Sequence, residues 1–120
     1  MSNRPPFLDA LAGDAVITGS ALKNGMTGKD AVIKVVETAG SLYASMEPSF
    51  HEQVKNKEFM EYDAVLTGGH NLHGVVTLTK NAEGKISHVS VTQSPIEAVI
   101  WLSTEMGKRL SKDLGPDVFL

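Results

Sequence analysis

Residues 58–66, EFMEYDAVL, lead through a break containing Gly68, Gly69, His70 and Asn71 into residues 72–80, LHGVVTLTK. Asn81, Ala82, Glu83 and Gly84 then separate these from residues 85–93, KISHVSVTQ. This stretch decides the fold class. Its three runs are rich in β-branched and aromatic residues, the types that suit a pleated, half-buried surface. In the first run Met60, Tyr62, Ala64 and Leu66 share one face, and Phe59, Glu61, Asp63 and Val65 share the other. Short connections between consecutive strands predict an antiparallel meander rather than strand-helix-strand units. The Asn81–Gly84 break suits a type I turn closed by a left-handed Gly84.

Working outward, residues 49–54 predict a further strand after Pro48, joined to the meander through residues 54–57. Upstream of it, Val32, Val35, Val36, Ala39, Leu42 and Tyr43 fall on one helical stripe. Thr27 and Asp30 resemble a capping arrangement at its start. The β-branched residues and Gly40 weaken intrinsic helicity, so this helix needs a partner surface. Before it come a short helical turn over residues 6–11, a strand over 15–18 and a glycine-rich loop over 19–28. After the meander, Ser94, Pro95 and Glu97 stand at the expected N-cap, N1 and N3 positions of a last helix. Ile96, Val99, Ile100, Met106 and Leu110 form its stripe, and Gly115-Pro116 stops it.

The 120 residues fit a single domain spanning 1–120, with 42% hydrophobic and 21% charged residues. The net charge is −3 and the basic residues are scattered, so neither nucleic acid nor a membrane surface is an expected partner. Lys108, Arg109 and Lys112 sit where cations complement a helix dipole. The absence of cysteine removes disulfides, thiolate nucleophiles and sulfur-ligated zinc. The longest apolar run, residues 98–102, is too short to span a bilayer, and Met1–Pro6 has no signal-peptide core. A cytoplasmic protein is expected.

Residues 12–17 (AGDAVI), then 27–32 (TGKDAV), resemble the opening of the nuclear transport factor two-like superfamily, also called SnoaL-like. That family shows an acidic turn into the first strand and a Gly-x-x-Ala-[Val/Ile] start to the next helix. Residues 83–86 (EGKI), six variable positions and a strand ending at Ser94-Pro95 are similar to its final hairpin. The resemblance runs from about Phe7 to Pro95. It implies an α+β fold, cone-shaped and cystatin-like: a strongly bent antiparallel sheet, or α+β barrel, wrapped on helices around a pocket. Members include ketosteroid isomerases, polyketide cyclases, limonene epoxide hydrolases, dehydratases and non-catalytic transport or assembly modules, so fold does not settle function. The family usually opens with a helix of several turns, and here only about a turn and a half fits before Ala15. Conversely, this chain carries an extra C-terminal helix. Its residues 96–110 are expected to cover the apolar surface that the N-terminal helix covers in relatives.

Ketosteroid isomerases use a carboxylate base with a Tyr and a neutral carboxylic acid. Alignment on Asp14-Ala15 puts the base near Gly19 or Ser20. Alignment on Gly84-Lys85 puts the acid near Val76, and the Tyr belongs to the absent helix. That activity is therefore not carried over. An Asp-Arg-Asp triad has no counterpart either, since the only arginines are Arg4 and Arg109.

The histidines are His51, His70, His73 and His88. His70-x-x-His73 has metal-ligand spacing but spans a predicted turn with no diagnostic third ligand, so no metal or cofactor is expected. His51 and His88 fall on predicted strands and become acid–base candidates if they point into the cone. Tyr62 lies on an apolar face and needs a hydroxyl partner. Tyr43 ends the helical stripe, and Trp101 lies off the last helix's stripe, as a lid or an interface residue. Glu61 and Asp63 read as the solvated side of their strand. Gly68, Gly69 and Gly74 lack a phosphate-loop pattern, and Ser20, Ser41 and Ser45 lack a nucleophile context.

The candidate pocket is thus Tyr43, His51, Tyr62, His88 and Trp101. The expected function is a small-molecule pocket of the cofactor-independent isomerase, cyclase, dehydratase or hydrolase kind, for a largely apolar ligand. The alternative is a non-catalytic ligand-binding or assembly module. In either case a homodimer through the outer sheet face, which carries Phe59 and Val65, is expected.

Overall fold

A computed structural model describes residues 5–120. Residues 1–4, which include Arg4 and most of the segment read for a signal peptide, lie outside the described residues. A single 3-10 turn, Pro6–Ala10, leads into β1 (Leu11–Gly19), β2 (Met26–Thr27), α1 (Lys29–Ser41), β3 (Tyr43–Val54), β4 (Lys57–Leu66), β5 (Asn71–Lys80), β6 (Ile86–Ser94) and α2 (Ile96–Leu114).

The meander forms as its alternation dictates: β3, β4, β5 and β6 pair antiparallel in sequence order. β1 then joins β6 in parallel, and β2 closes that edge, giving the order β2-β1-β6-β5-β4-β3. The sheet is therefore mixed rather than wholly antiparallel, and it is open, not a barrel. Both corrections have one cause. α1 carries the chain from the β1 edge to the opposite edge, so the meander returns to β1 with β6 running in the same direction. β2 and β3 stay as unjoined edges.

Local chemistry shifted several boundaries. The apolar stripe of α1 continues in sequence to Tyr43, but the helix ends at Ser41, where Leu42 takes a non-helical conformation and bonds back to Ala39 and Gly40. Tyr43 opens β3 instead. That strand begins well before Pro48, because an edge strand accommodates a proline that a central one does not. Thr27 belongs to β2, and Gly28 takes the N-cap position of α1 without a side-chain cap. Ser94 remains in β6 and Pro95 takes the N-cap position of α2, so the predicted capping box does not form. The Asn81–Gly84 turn has the expected left-handed glycine (φ 78°). Asn81 Oδ1 accepts from the backbone N–H groups of Glu83 and Lys85.

Both helices pack on one face of the sheet and touch each other. α2 buries Ala98, Val99, Leu102, Ser103, Met106 and Leu110. Ile96, read as part of its stripe, is instead 71% exposed, and Ile100 is exposed as well. The buried stripe starts two residues later than the sequence pattern suggested. Val118 and Phe119 fold back onto the core, with Phe119 bridged to Leu22.

Candidate functional site

The period-2 alternation of the paired strands assigns the inner face. Tyr62, Met60 and Glu58 line it on β4; Leu72, Gly74, Val76 and Leu78 on β5; and Val89, Val91 and Gln93 on β6. On β3 the register shifts twice, between Tyr43 and Ser45 and between Pro48 and Phe50. Each shift inserts one extra residue, which bends an edge strand and re-aims the side chains beyond it. Tyr43 pairs opposite Leu66, Pro48 opposite Tyr62 and His51 opposite Met60. The bulges thus keep both Tyr43 and His51 on the inner side of one long strand.

Gly74 makes the centre of this face. It pairs opposite Tyr62 on one side and Gln93 on the other. A Cβ at Gly74 would lie 2.5 Å from both Cε1 and Oη of Tyr62. Only glycine lets the ring lie across β5 and deliver its hydroxyl to β6. There Tyr43 and Tyr62 share a hydrogen bond of 2.8 Å, with ring centroids 5.8 Å apart. Gln93 Nε2 donates to both phenol oxygens, at 3.1 Å each.

Counting protons fixes how this network works. The amide nitrogen has two hydrogens and spends one on each phenol. One phenol donates to the other. The second phenol keeps its proton unspent. With the amide reversed, its oxygen would take both phenol protons and the 2.8 Å tyrosine contact would have none, so the nitrogen must face the pair. Burial, then the neighbouring Tyr62, push the Tyr43 pKa far up. Burial also raises that of Tyr62, against its hydrogen bonds from Tyr43 and Gln93. Both groups stay neutral phenols at ordinary pH and act as donors.

The cleft above this network encloses about 890 Å³ between the sheet, β1 and the two helices. Ile17, Val35, Val36, Val76, Val91 and Met106 supply much of its apolar wall. Such a volume and lining suit a small organic ligand.

No family model matches the chain, and no curated protein matches it. Solved structures do. One is an uncharacterized bacterial protein with a cystatin-like fold from Silicibacter pomeroyi DSS-3. It is 22% identical, with a TM-score of 0.82 over 89% of this chain and 75% of that one. The fold is that of the nuclear transport factor two-like proteins. A steroid delta-isomerase from Pseudomonas aeruginosa is similar at 20% identity and a TM-score of 0.79, covering 88% of this chain and 77% of that one. A nuclear transport factor two-like protein of unknown function from Cytophaga hutchinsonii ATCC 33406 aligns at 13% identity. Its TM-score is 0.58, over 76% of this chain and 75% of that one.

Within this nuclear transport factor two-like cone, three of the five residues singled out from sequence line the cleft: Tyr43, Tyr62 and His51. His51 Nε2 is bonded to the Glu58 carboxylate near the cleft mouth, and Glu58 also faces Lys80 at 3.7 Å. His88 is a correction. It pairs opposite Val16 and Thr79 on the outer face and bonds Thr18 Oγ1 at 2.8 Å, because one residue's offset along β6 turns a side chain away from Val89. Trp101 is a second correction. It packs against Gly68 and His70 of the β4–β5 turn, 5.6 Å from the His70 ring, and does not line the cleft.

His70 and His73 do not share one turn, a third correction. His70 Nδ1 is buried. His73 belongs to β5, where it bridges Asp63 (3.0 Å) and Glu61 (3.2 Å) on the outer face. The hydrogen bond its ring donates to Asp63, joined by the charges of Asp63 and Glu61, raises its pKa. Among the described residues no group of three His, Asp or Glu side chains is placed to hold a metal, and no helix is long and apolar enough to cross a membrane.

Sequence reasoning missed Gln93. The available signal was Gly74, a glycine inside a strand otherwise built of Val, Thr and Leu, which marks a close approach by a neighbour.

Proposed function

We propose that the cleft binds a largely apolar small molecule and donates a hydrogen bond to one of its oxygens, most simply a carbonyl. The carrying observation is the unspent phenol proton of the Tyr43–Tyr62–Gln93 network, held neutral in an apolar surround. A donor preorganised in a low-dielectric site favours charge developing on the oxygen it faces. That supports cofactor-independent chemistry through an enol-like species, isomerisation above all. The likeness to a steroid delta-isomerase is consistent with this. His51 and Glu58 form an ionisable pair on the lining, but Glu58 is four residues from Tyr62, about 13 Å along the strand. They do not converge with the phenols on one ligand atom, which favours binding and polarisation at the phenol end over proton shuttling there.

The test is displacement of a neutral apolar dye, N-phenyl-1-naphthylamine, by 2-decanone. A single Tyr-to-Phe change leaves the other phenol with a free proton, so the double variant Tyr43→Phe/Tyr62→Phe is the informative one. It should bind the ketone about tenfold more weakly, the worth of one hydrogen bond in an apolar site, while dye affinity holds. Ketone affinity unchanged in the double variant, or no dye binding at all, overturns the reading.

A second reading concerns assembly. The outer face exposes Val54 and Val65, with Phe59 partly exposed among polar residues. We infer a single-domain protein that forms a two-fold dimer through this face, in a reducing, cytoplasmic setting that suits a cysteine-free chain. A strict monomer by sedimentation at micromolar concentration excludes the dimer.

A further inference from the structure

We infer that the mouth of the cleft is a second anchoring point, and that it selects ligands bearing a carboxylate at the end remote from the phenol-bound oxygen. This rests on the phenol-end reading above and specifies the ligand class for the same cleft.

The observation is a census of hydrogen-bonding capacity at the mouth. Glu58, His51 and Lys80 all line it. Glu58 Oε2 is bonded by His51, and Oε1 stands 3.7 Å from Lys80, an ion pair without a hydrogen bond. Glu61 also lines the cleft, but its carboxylate is turned to His73. Lys80 differs. Its ammonium group carries three donors, and Glu58 stands at 3.7 Å, beyond hydrogen-bonding distance. Lys80 is only 26% exposed and Glu58 20%, so this cation sits in a partly desolvated rim where a charge-assisted contact counts for more than it does in water. Lys80 pairs its charge with Glu58 but spends no donor on it, and an anionic acceptor can take those donors.

Between the two ends the wall is apolar. Met60 separates Glu58 from Tyr62 along β4, with Val76 opposite Met60 and Ile86 beside Lys80. No ligand polar group is wanted there. Glu58, which the Lys80 ammonium faces, lies about 13 Å along the strand from Tyr62. The matching molecule is an elongated apolar oxo acid, with its carbonyl at Tyr43–Tyr62 and its carboxylate at Lys80.

Two isosteric probes separate the ends: 2-decanone, and 9-oxodecanoate, which has the same chain with a carboxylate in place of the terminal methyl. Each displaces N-phenyl-1-naphthylamine from the intact chain. The oxo acid should bind about tenfold more tightly than the ketone, the worth of a hydrogen bond to a charged group. Lys80→Met keeps the apolar stem and removes the charge. It should bring the oxo acid down to the ketone's affinity and leave 2-decanone unchanged, which also certifies that the variant is folded. Equal affinity of the two probes for the unmodified protein, or an oxo-acid preference that survives Lys80→Met, overturns the anchoring role while the phenol-end reading stands. If neither probe displaces the dye, both fall together.

Discussion

Replacing Gly74 with alanine tests the geometry on which the site depends. The added Cβ would sit 2.3 Å from Tyr62 Cζ and 2.5 Å from Cε1 and Oη, and ordinary contact begins near 3.4 Å, so the ring must withdraw by about 1.1 Å. A hydrogen bond of 2.8 Å to Tyr43 or 3.1 Å from Gln93, lengthened by that amount, falls out of range. Losing two such bonds costs about 1 kcal/mol each, and overpacking a fitted site costs about 1–3 kcal/mol. The better strand preference of alanine returns less than about 1 kcal/mol. The expected net destabilisation is about 2–4 kcal/mol. Urea unfolding reads it as a lower midpoint with an unchanged slope. The decisive comparison is the same substitution in a Tyr62→Leu background, where no ring lies over Gly74. There Gly74→Ala should be close to neutral, giving a coupling of about 2 kcal/mol or more between the two positions. Equal costs in both backgrounds, within about 0.5 kcal/mol, would refute the reasoning.

Two further outcomes follow from other parts of the fold. His73 titrates above ordinary histidine because Asp63, and then Glu61, bond its protonated ring. Its contribution to stability is therefore complete below the ordinary histidine pKa near 6.5 and is lost as pH rises through the elevated folded value. An NMR titration of the ring should show the elevation and its reduction in Asp63→Asn; a His73 that titrates as a free histidine contradicts the bridge. Separately, Ser103 is fully buried, and its hydroxyl donates to the Ala21 carbonyl (2.6 Å) while accepting from the Leu120 amide (2.8 Å). Ser103→Ala leaves both backbone groups without that partner and should cost about 1–3 kcal/mol in thermal or urea unfolding, with faster amide exchange at Leu120; unchanged exchange there argues against the link.

Part of the site was readable before any coordinates. Met60, Tyr62, Ala64 and Leu66 share the inner face as their alternation required, and that alone placed Tyr62 in the cleft. Tyr43 was found for a different reason than expected. It reads as the last residue of a helical stripe, yet it lines the cleft from the first position of β3. A residue at a helix–strand junction satisfies either period, and the backbone of Leu42 decides between them. His51 required a bulge to keep its face, which no alternation pattern encodes. His88 and Trp101 show the converse. A histidine in a strand has two faces to choose from, and a tryptophan beside a helical stripe finds its partner only when Gly68 of a distant turn is brought against it.

The sequence by itself determined the strands of the meander, the two long helices, the α+β class and the left-handed turn at Gly84. These are matters of local period, turn chemistry and backbone freedom, settled within a few residues of each other. Only the tertiary structure decided that the sheet is mixed and open, that α2 buries the stripe beginning at Ala98, and that Tyr43, Tyr62 and Gln93 meet over Gly74. Those depend on pairings between residues 19 to 75 positions apart, and on which strand becomes an edge. Local propensity carries no record of such pairings. They are fixed when the crossing helix commits β1 and β3 to opposite sides of the sheet.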